Sequence, residues 1–210
     1  MDKSFLDAME VVTGAINDNK EYLTDLDRAI GDADHGHNMA RGFNAVMAKL
    51  KASPPTDLST GLKTTAMTLI STVGGASGPL YGTAFLRCSK VMQGKEIINK
   101  AVVVRLFEEA LDGIETRGKA QPGDKTMLDA LKPAYDAFVT ATEQSKSFLE
   151  CLEAACEAAQ AGIEYTKTIV ARKGRASYLG ERSIGHQDPG ATSVWLILTA
   201  LTDYYKKLYQ

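Results

Sequence analysis

Cysteine is scarce in this chain. Cys88, Cys151 and Cys156 are the only three in 210 residues, and no two form a C-x-x-C pair. An odd, scattered set excludes a disulfide framework and a cysteine zinc site, and the thiols read as small apolar side chains rather than nucleophiles. Histidine is equally rare, with His35, His37 and His186, and there is no H-E-x-x-H. His35-Gly36-His37 beside Asp34 therefore leaves a zinc or di-metal hydrolase only as a minor alternative. An excess of one charge is also missing: 24 Lys and Arg stand against 26 Asp and Glu. That balance gives no electrostatic case for nucleic acid or an anionic membrane as partner, although a local basic patch for a small phosphorylated ligand remains open. Apolar stretches are broken by charges well short of the ~20 residues of a membrane span. The first twelve residues, MDKSFLDAMEVV, have no apolar signal core. A cytoplasmic location is expected. Internal repeats, low-complexity tracts and convincing strand alternation are absent as well.

What is present is helical period. Apolar residues fall at three- and four-residue spacing over Ser4–Asn17, His37–Ala52, Asp57–Thr72, Pro79–Met92, Asn99–Thr116, Lys125–Thr142, Ser147–Thr168 and Ala191–Leu208. The stretches are similar in length and mostly joined by short Gly, Pro or Ser punctuation. That pattern favours antiparallel neighbours in an up-and-down bundle or barrel of about eight helices. A chain of 210 residues buries ~70% of its unfolded surface around one core, so a single domain over residues 1–210 is expected.

Four connections do not look like scaffolding. In the first, Asp27, Asp32 and Asp34 crowd into eight positions beside glycines and ahead of a helix. Like charges ~4 Å apart repel by ~4 kcal/mol at an effective dielectric of 20, so the cluster points to a hard divalent cation; turn and cap residues are the plainer reading. An EF-hand starting at Asp32 fails, because its glycine and glutamate positions hold His37 and Phe43. The second, Ser71 to Pro79, carries Gly74, Gly75 and Gly78 and ends in a helix start whose amides suit phosphate; a simple glycine turn explains the same residues. The third, Arg117 to Thr126, nearly spells a phosphate loop. Asp124 intervenes between Gly123 and Lys125, and a helix rather than a strand precedes it, so that assignment is rejected. The fourth, Ala171 to Gly190, is twenty non-periodic residues with Arg172, Lys173, Arg175 and Arg182, able to bind or cover phosphates. It closes on Asp188-Pro189, a good cap and first-turn pair for the last helix.

These motifs occur in one order: Asp27-x-x-x-x-Asp32-x-Asp34-His35-Gly36, then Gly74-Gly75-Ala76-Ser77-Gly78-Pro79, then Gly118-Lys119-Ala120 to Gly123-Asp124-Lys125-Thr126, then Gly174-Arg175-Ala176-Ser177-Tyr178 to Asp188-Pro189-Gly190-Ala191. Over nearly the whole chain this resembles the nucleotide-binding subunit family of bacterial dihydroxyacetone kinases. The resemblance implies an all-α antiparallel helical barrel with ADP or ATP at one end. It implies that Asp27, Asp32 and Asp34 hold two magnesium ions against the phosphates. Nucleotide contacts carry over to His35, Gly36, His37 and Asn38, to Ser77 and Gly78, to Gly118 and Met127, to Arg175, and to Asp188, Pro189 and Gly190, with His37 at a variable place. No catalytic side chain is implied.

At 210 residues the chain resembles the stand-alone subunit of that family rather than the form fused to a domain that holds dihydroxyacetone on a histidine, and a separate subunit is expected. The resemblance then implies two partners: a dihydroxyacetone-binding subunit, and a phosphohistidine protein of the phosphoenolpyruvate phosphotransferase system that recharges bound ADP to ATP. Two other readings stay open. One is a nucleotide-sensing module for a transcriptional regulator. The other is the nucleotide domain of a fatty acid type kinase, for which a longer chain and a poorer match to Tyr178-Leu179-Gly180-Glu181-Arg182 would be expected.

Overall fold

The computed structural model describes residues 3–209. Among them are nine α-helices, one 3-10 segment and no strand: α1 (Lys3–Asp18), α2 (Lys20–Ile30), α3 (His35–Ala52), α4 (Leu58–Thr72), α5 (Ser77–Val91), α6 (Lys100–Gly118), α7 (Leu128–Glu143), α8 (Phe148–Thr166), the 3-10 segment Arg175–Ser183, and α9 (Pro189–Tyr209). None of these helices is long and apolar enough to cross a membrane.

Eight helices form a closed ring. Each of α3 to α9 packs on the next, and α1 closes the circle by packing on both α3 and α9. Phe43, Phe138, Ile16, Leu50 and Leu69 are fully buried in the shared core, and an apolar cavity of about 640 Å³ lies within the ring beside Phe107, Leu152 and Ile197. These eight are the stretches whose periodicity was readable. Three of them, α4, α6 and α8, start at N-cap side chains that accept otherwise unpaired amides. Asp57 accepts from Thr60 N at 2.7 Å, Asn99 from Val102 N at 3.0 Å, and Ser147 with Glu150 forms a reciprocal capping box. Pro133 inside α7 deprives Asp129 O of its helical donor. Gly162 of α8 packs there so closely that a Cβ would stand 2.0 Å from that carbonyl.

The ninth helix, α2, was not foreseen. Leu23, Leu26 and Ile30 give it an apolar face, and Leu23 and Ile30 are buried; it lies across one end of the ring against α3 and α9. Cys151 is buried and the other two cysteines half-buried; burial pushes the Cys88 thiol up to about 12 and that of Cys156 upward, as expected of inert thiols.

Candidate functional site

An antiparallel succession brings alternate connections to the same end, and here those are the four unusual ones. The acidic corner comes first. Asp27 lies in the last turn of α2, Asp32 in the following bend and Asp34 immediately before α3. Gly31 N donates to Asp27 O at 2.5 Å, and a Cβ at Gly31 would sit 2.0 Å from Asp27 Oδ1, so a larger residue here would push that carboxylate aside. Ala33 adopts a left-handed φ of 59°, which folds Asp34 back toward Asp27. Asp27 Oδ2 then accepts from Asp34 N at 2.8 Å and His35 N at 3.1 Å, capping α3 and fixing the orientation of the carboxylate. Carboxylate oxygens of Asp27, Asp32 and Asp34 all lie within 4.8 Å of one another. Three converging hard oxygen donors fit magnesium or a similar divalent cation. The countercharge in place is Arg175, whose Nε is 2.8 Å from Asp32 Oδ2.

Beside this corner opens a cavity of about 580 Å³. Its wall collects His35 and Asn38 from α3, Gly74 to Ser77 from the glycine-rich turn, Gly118 and Met127 from the third connection, Arg175 from the fourth, and Asp188, Pro189 and Gly190 from the start of α9. Asn38 Oδ1 accepts from Arg41 at 2.6 Å, which leaves its amide nitrogen as the free donor. Three of the expected contacts are not on the wall. Gly36 lies against the backbone of α2, where a Cβ would meet Lys20 O at 1.9 Å, and Gly78 against Val73 O at 2.3 Å. Both serve close packing. His37 is exposed with Nε2 3.9 Å from Glu21 Oε2. Conversely the wall includes Leu80 and Ile114, which carried no motif of their own, and Arg117, the first residue of the third connection.

The third connection is held from beneath. Buried Asp129 accepts from Gly123 N at 2.5 Å and Thr126 N at 2.7 Å, so helix α7 starts at Leu128 rather than at Lys125. Lys125 adopts φ 62°, is buried, and donates its ammonium to Ser183 O and to Ile169 O. Burial lowers its pKa, opposed by the charge of Asp188. Thus the lysine that mimics a phosphate loop ties down the base of the fourth connection. That base is further closed by Ala171 N donating to Ser183 Oγ at 2.9 Å and Arg172 N donating to Asp124 O at 3.0 Å. The twenty residues are an ordered strap carrying a 3-10 segment, with Tyr178 at its tip 84% exposed.

Electrostatics distinguish the buried groups. Burial lowers the pKa of His35 against the pull of Asp27 and Asp34, and raises that of Tyr81. Asp188 caps α9 through Ala191 N at 2.7 Å. Burial, with Asp129 and Asp27 nearby, nevertheless pushes its carboxyl up to about 7, opposed by the Ala191 amide and Lys125.

Comparison with known proteins agrees with this geometry. A DAK2 domain model matches residues 29–203. The ADP-binding subunit DhaL of the PEP-dependent dihydroxyacetone kinase of Escherichia coli (strain K12) is 52% identical over 181 residues, 86% of each chain. The corresponding subunit of PEP-dependent dihydroxyacetone kinase 1 of Listeria innocua is 47% identical over 186 residues, 89% of this chain and 88% of that one. Among solved structures, the dihydroxyacetone kinase from C. freundii in complex with AMP-PNP and Mg2+ superposes with a TM-score of 0.75 at 27% identity, over 97% of this chain and 34% of that one.

Proposed function

The chain belongs to the DAK2 domain family, and from that premise we propose that it is the ADP-binding subunit of a phosphoenolpyruvate-dependent dihydroxyacetone kinase, a phosphotransferase. The observation that carries the reading is the convergence of three carboxylates within 4.8 Å at the edge of a cavity of about 580 Å³. Bound there, nucleotide and two magnesium ions would supply a charge-neutralised phosphoryl carrier, relaying the group from a phosphohistidine protein of the phosphotransferase system to dihydroxyacetone held on a partner subunit.

The chain's own residues do the rest. Asp27, Asp32 and Asp34 hold the cations, and Asp27 is already oriented by the α3 amides. Gly74 and Gly75 let the backbone approach the phosphates, with Ser77 and the Asn38 amide as donors. Arg175, now 2.8 Å from Asp32, would be placed to pair with phosphate oxygens of a bound nucleotide. Leu80, Ile114, Met127 and Pro189 offer an apolar surface for the base. His35, Gly118, Asp188 and Gly190 complete the wall, while Gly36 and Gly78 support it from behind and His37 makes at most a peripheral contact.

Dihydroxyacetone is held elsewhere, so the acceptor hydroxyl must be presented by a second protein. The isolated chain loaded with ATP and magnesium should be inert toward dihydroxyacetone. With a dihydroxyacetone-binding subunit added, one preloaded ATP should give about one dihydroxyacetone phosphate per chain, and sustained turnover should require the phosphohistidine donor and phosphoenolpyruvate. Multiple turnover by the isolated chain would overturn the proposal.

A further inference from the structure

Behind the cavity wall runs a hydrogen-bonded chain that metal and phosphate binding do not by themselves require. Ser77 and Tyr81 lie one turn apart on α5 and bracket His35 and Ser193. Tyr81 Oη is 2.8 Å from Ser193 Oγ. Ser193 Oγ is 3.0 Å from His35 Nε2 and 3.0 Å from Gly190 O, and Ser77 Oγ is 3.2 Å from His35 Nδ1. A carbonyl only accepts, a hydroxyl donates once and accepts twice, and a neutral imidazole donates from one nitrogen and accepts at the other.

Counting protons fixes the direction of the chain. Gly190 O takes the Ser193 proton, so Ser193 accepts from Tyr81 and from His35 Nε2–H. Nδ1 is then bare and takes the proton of Ser77, and four bonds are made. In the other tautomer Ser193 turns its proton from Gly190 O to Nε2, while Nδ1–H points at Ser77 Oγ. Only three bonds are made, and the Ser77 proton is released toward the cavity. A phosphate oxygen there, an acceptor only, restores the fourth as a charge-assisted bond roughly twice as strong as the neutral Ser77–Nδ1 bond it replaces, which tips the balance to this tautomer. Gly190 O loses little, because it opens α9 and keeps its helical amide.

We infer that Ser193 and Tyr81 are positioning residues that couple occupancy of the cavity's phosphate end to the tautomer of His35: Nε2–H when the site is empty, Nδ1–H when a phosphate takes the Ser77 proton. The ring stays neutral throughout, since the proton lost at one nitrogen is matched by one gained at the other. Ser193 is the pivot that changes partner, and Tyr81 is the fixed donor that keeps it saturated. This deepens the nucleotide reading and rests on it.

The test is long-range proton–nitrogen correlation of the histidine side chains in the 15N-labelled full chain, with and without saturating magnesium and ADP, His35 being assigned by loss of its signals in His35→Gln. Without ligand, Nε2 should be pyrrole-like and Nδ1 pyridine-like with a preference of about five- to tenfold, one neutral hydrogen bond's worth. With ligand the two signatures should exchange. Ser77→Ala should hold Nε2–H in both states. Ser193→Ala should abolish the ligand-linked exchange and weaken ADP binding about three- to tenfold by calorimetry, and Ser193→Thr should restore both. An Nδ1–H ring in the free chain, or one tautomer in both states while calorimetry records binding, would overturn the inference. Absence of any ADP binding to the wild type would instead remove the functional reading, and the ligand-free spectrum would still decide the proton direction at Ser193.

Discussion

Asp32→Asn separates metal binding from folding, because of how differently the three aspartates are embedded. Asp27 caps α3 through two amides, so altering it would weaken the helix start as well as the cation site. Asp32 instead pairs with Arg175 across a gap where the two side chains are 36% and 67% exposed. Exposed pairs of this kind contribute about 0–1 kcal/mol, and neutralising one of three carboxylates within 4.8 Å relieves a repulsion of ~1 kcal/mol per pair in a water-like dielectric and ~3.5 kcal/mol at an effective dielectric of 20. Two such pairs involve Asp32, so even in the water-like limit the ligand-free variant should gain about 1–2 kcal/mol net and melt roughly 2–8 °C above the wild type. In the wild type, ADP at a hundred times its Kd with magnesium present should add about 2.7 kcal/mol by mass action, which for a chain of this size is a rise of roughly 5–11 °C. Without magnesium, ADP phosphates would face uncompensated carboxylates and the rise should fall below ~2 °C. Asp32→Asn should show a similarly small rise even with magnesium. The assay is scanning calorimetry with matched magnesium and chelator arms. Equal stabilisation of the wild type by ADP in chelator, or a full rise in Asp32→Asn, would refute the reasoning.

Three further outcomes follow from the same geometry. Arg175→Ala should weaken nucleotide binding or stoichiometric transfer at least about tenfold, ~1.5 kcal/mol, and Arg175→Lys should not restore it, since a point charge cannot reproduce planar two-bond contact; isothermal titration of both variants decides this. Asp188 carries a folded-state pKa pushed up to about 7 by burial against an ordinary 3.8, so the folded chain binds that proton more tightly than the unfolded one. The magnesium-free chain should consequently lose stability as pH rises from about 4 to 7, by up to about 4 kcal/mol. Urea melts at pH 5 and pH 8 should show that slope flattened in Asp188→Asn, which keeps an oxygen for the Ala191 amide. Gly31→Ala should drive Asp27 Oδ1 from its place and lower divalent affinity more than tenfold with helix content unchanged, as read by calorimetric titration against circular dichroism.

Much of the ring was legible because burial on one side leaves a 3.6-residue stripe, and caps such as Asp57 and Ser147 mark its edges. Helix α2 escaped because Glu21, Asp25, Asp27 and Arg28 crowd its eleven residues, so the carboxylates drew the reading toward a loop and hid the Leu23, Leu26 and Ile30 face. That error moved Asp27 off a helix. The early start assigned to α7 has a different cause: Lys125 in a left-handed conformation is invisible to periodicity, and the Asp129 hydrogen bonds that hold it are revealed only by tertiary placement. Site residues with motifs converged on one cavity because glycine and proline punctuation fixes where backbone can approach a ligand. Ser193 and Tyr81 had no such mark. They sit on helices whose apolar neighbours dominate the pattern, and their chemistry arises from crossing partners more than a hundred positions apart.

The closure of the ring by α1 against α9 settles where anything can be attached. Helix α9 begins at the cavity end and α1 runs back toward it, so Lys3 and Tyr209 both lie at the far end. A purification tag, a fluorophore or a fused domain joined at either terminus therefore stands clear of the cavity mouth. The same placement allows the chain to be rewired: a linker between the two ends, with a new opening in the Ser53–Asp57 connection, exposed except at Pro55, would give a circular permutant that keeps every helix pair and presents the strap and the acidic corner unaltered.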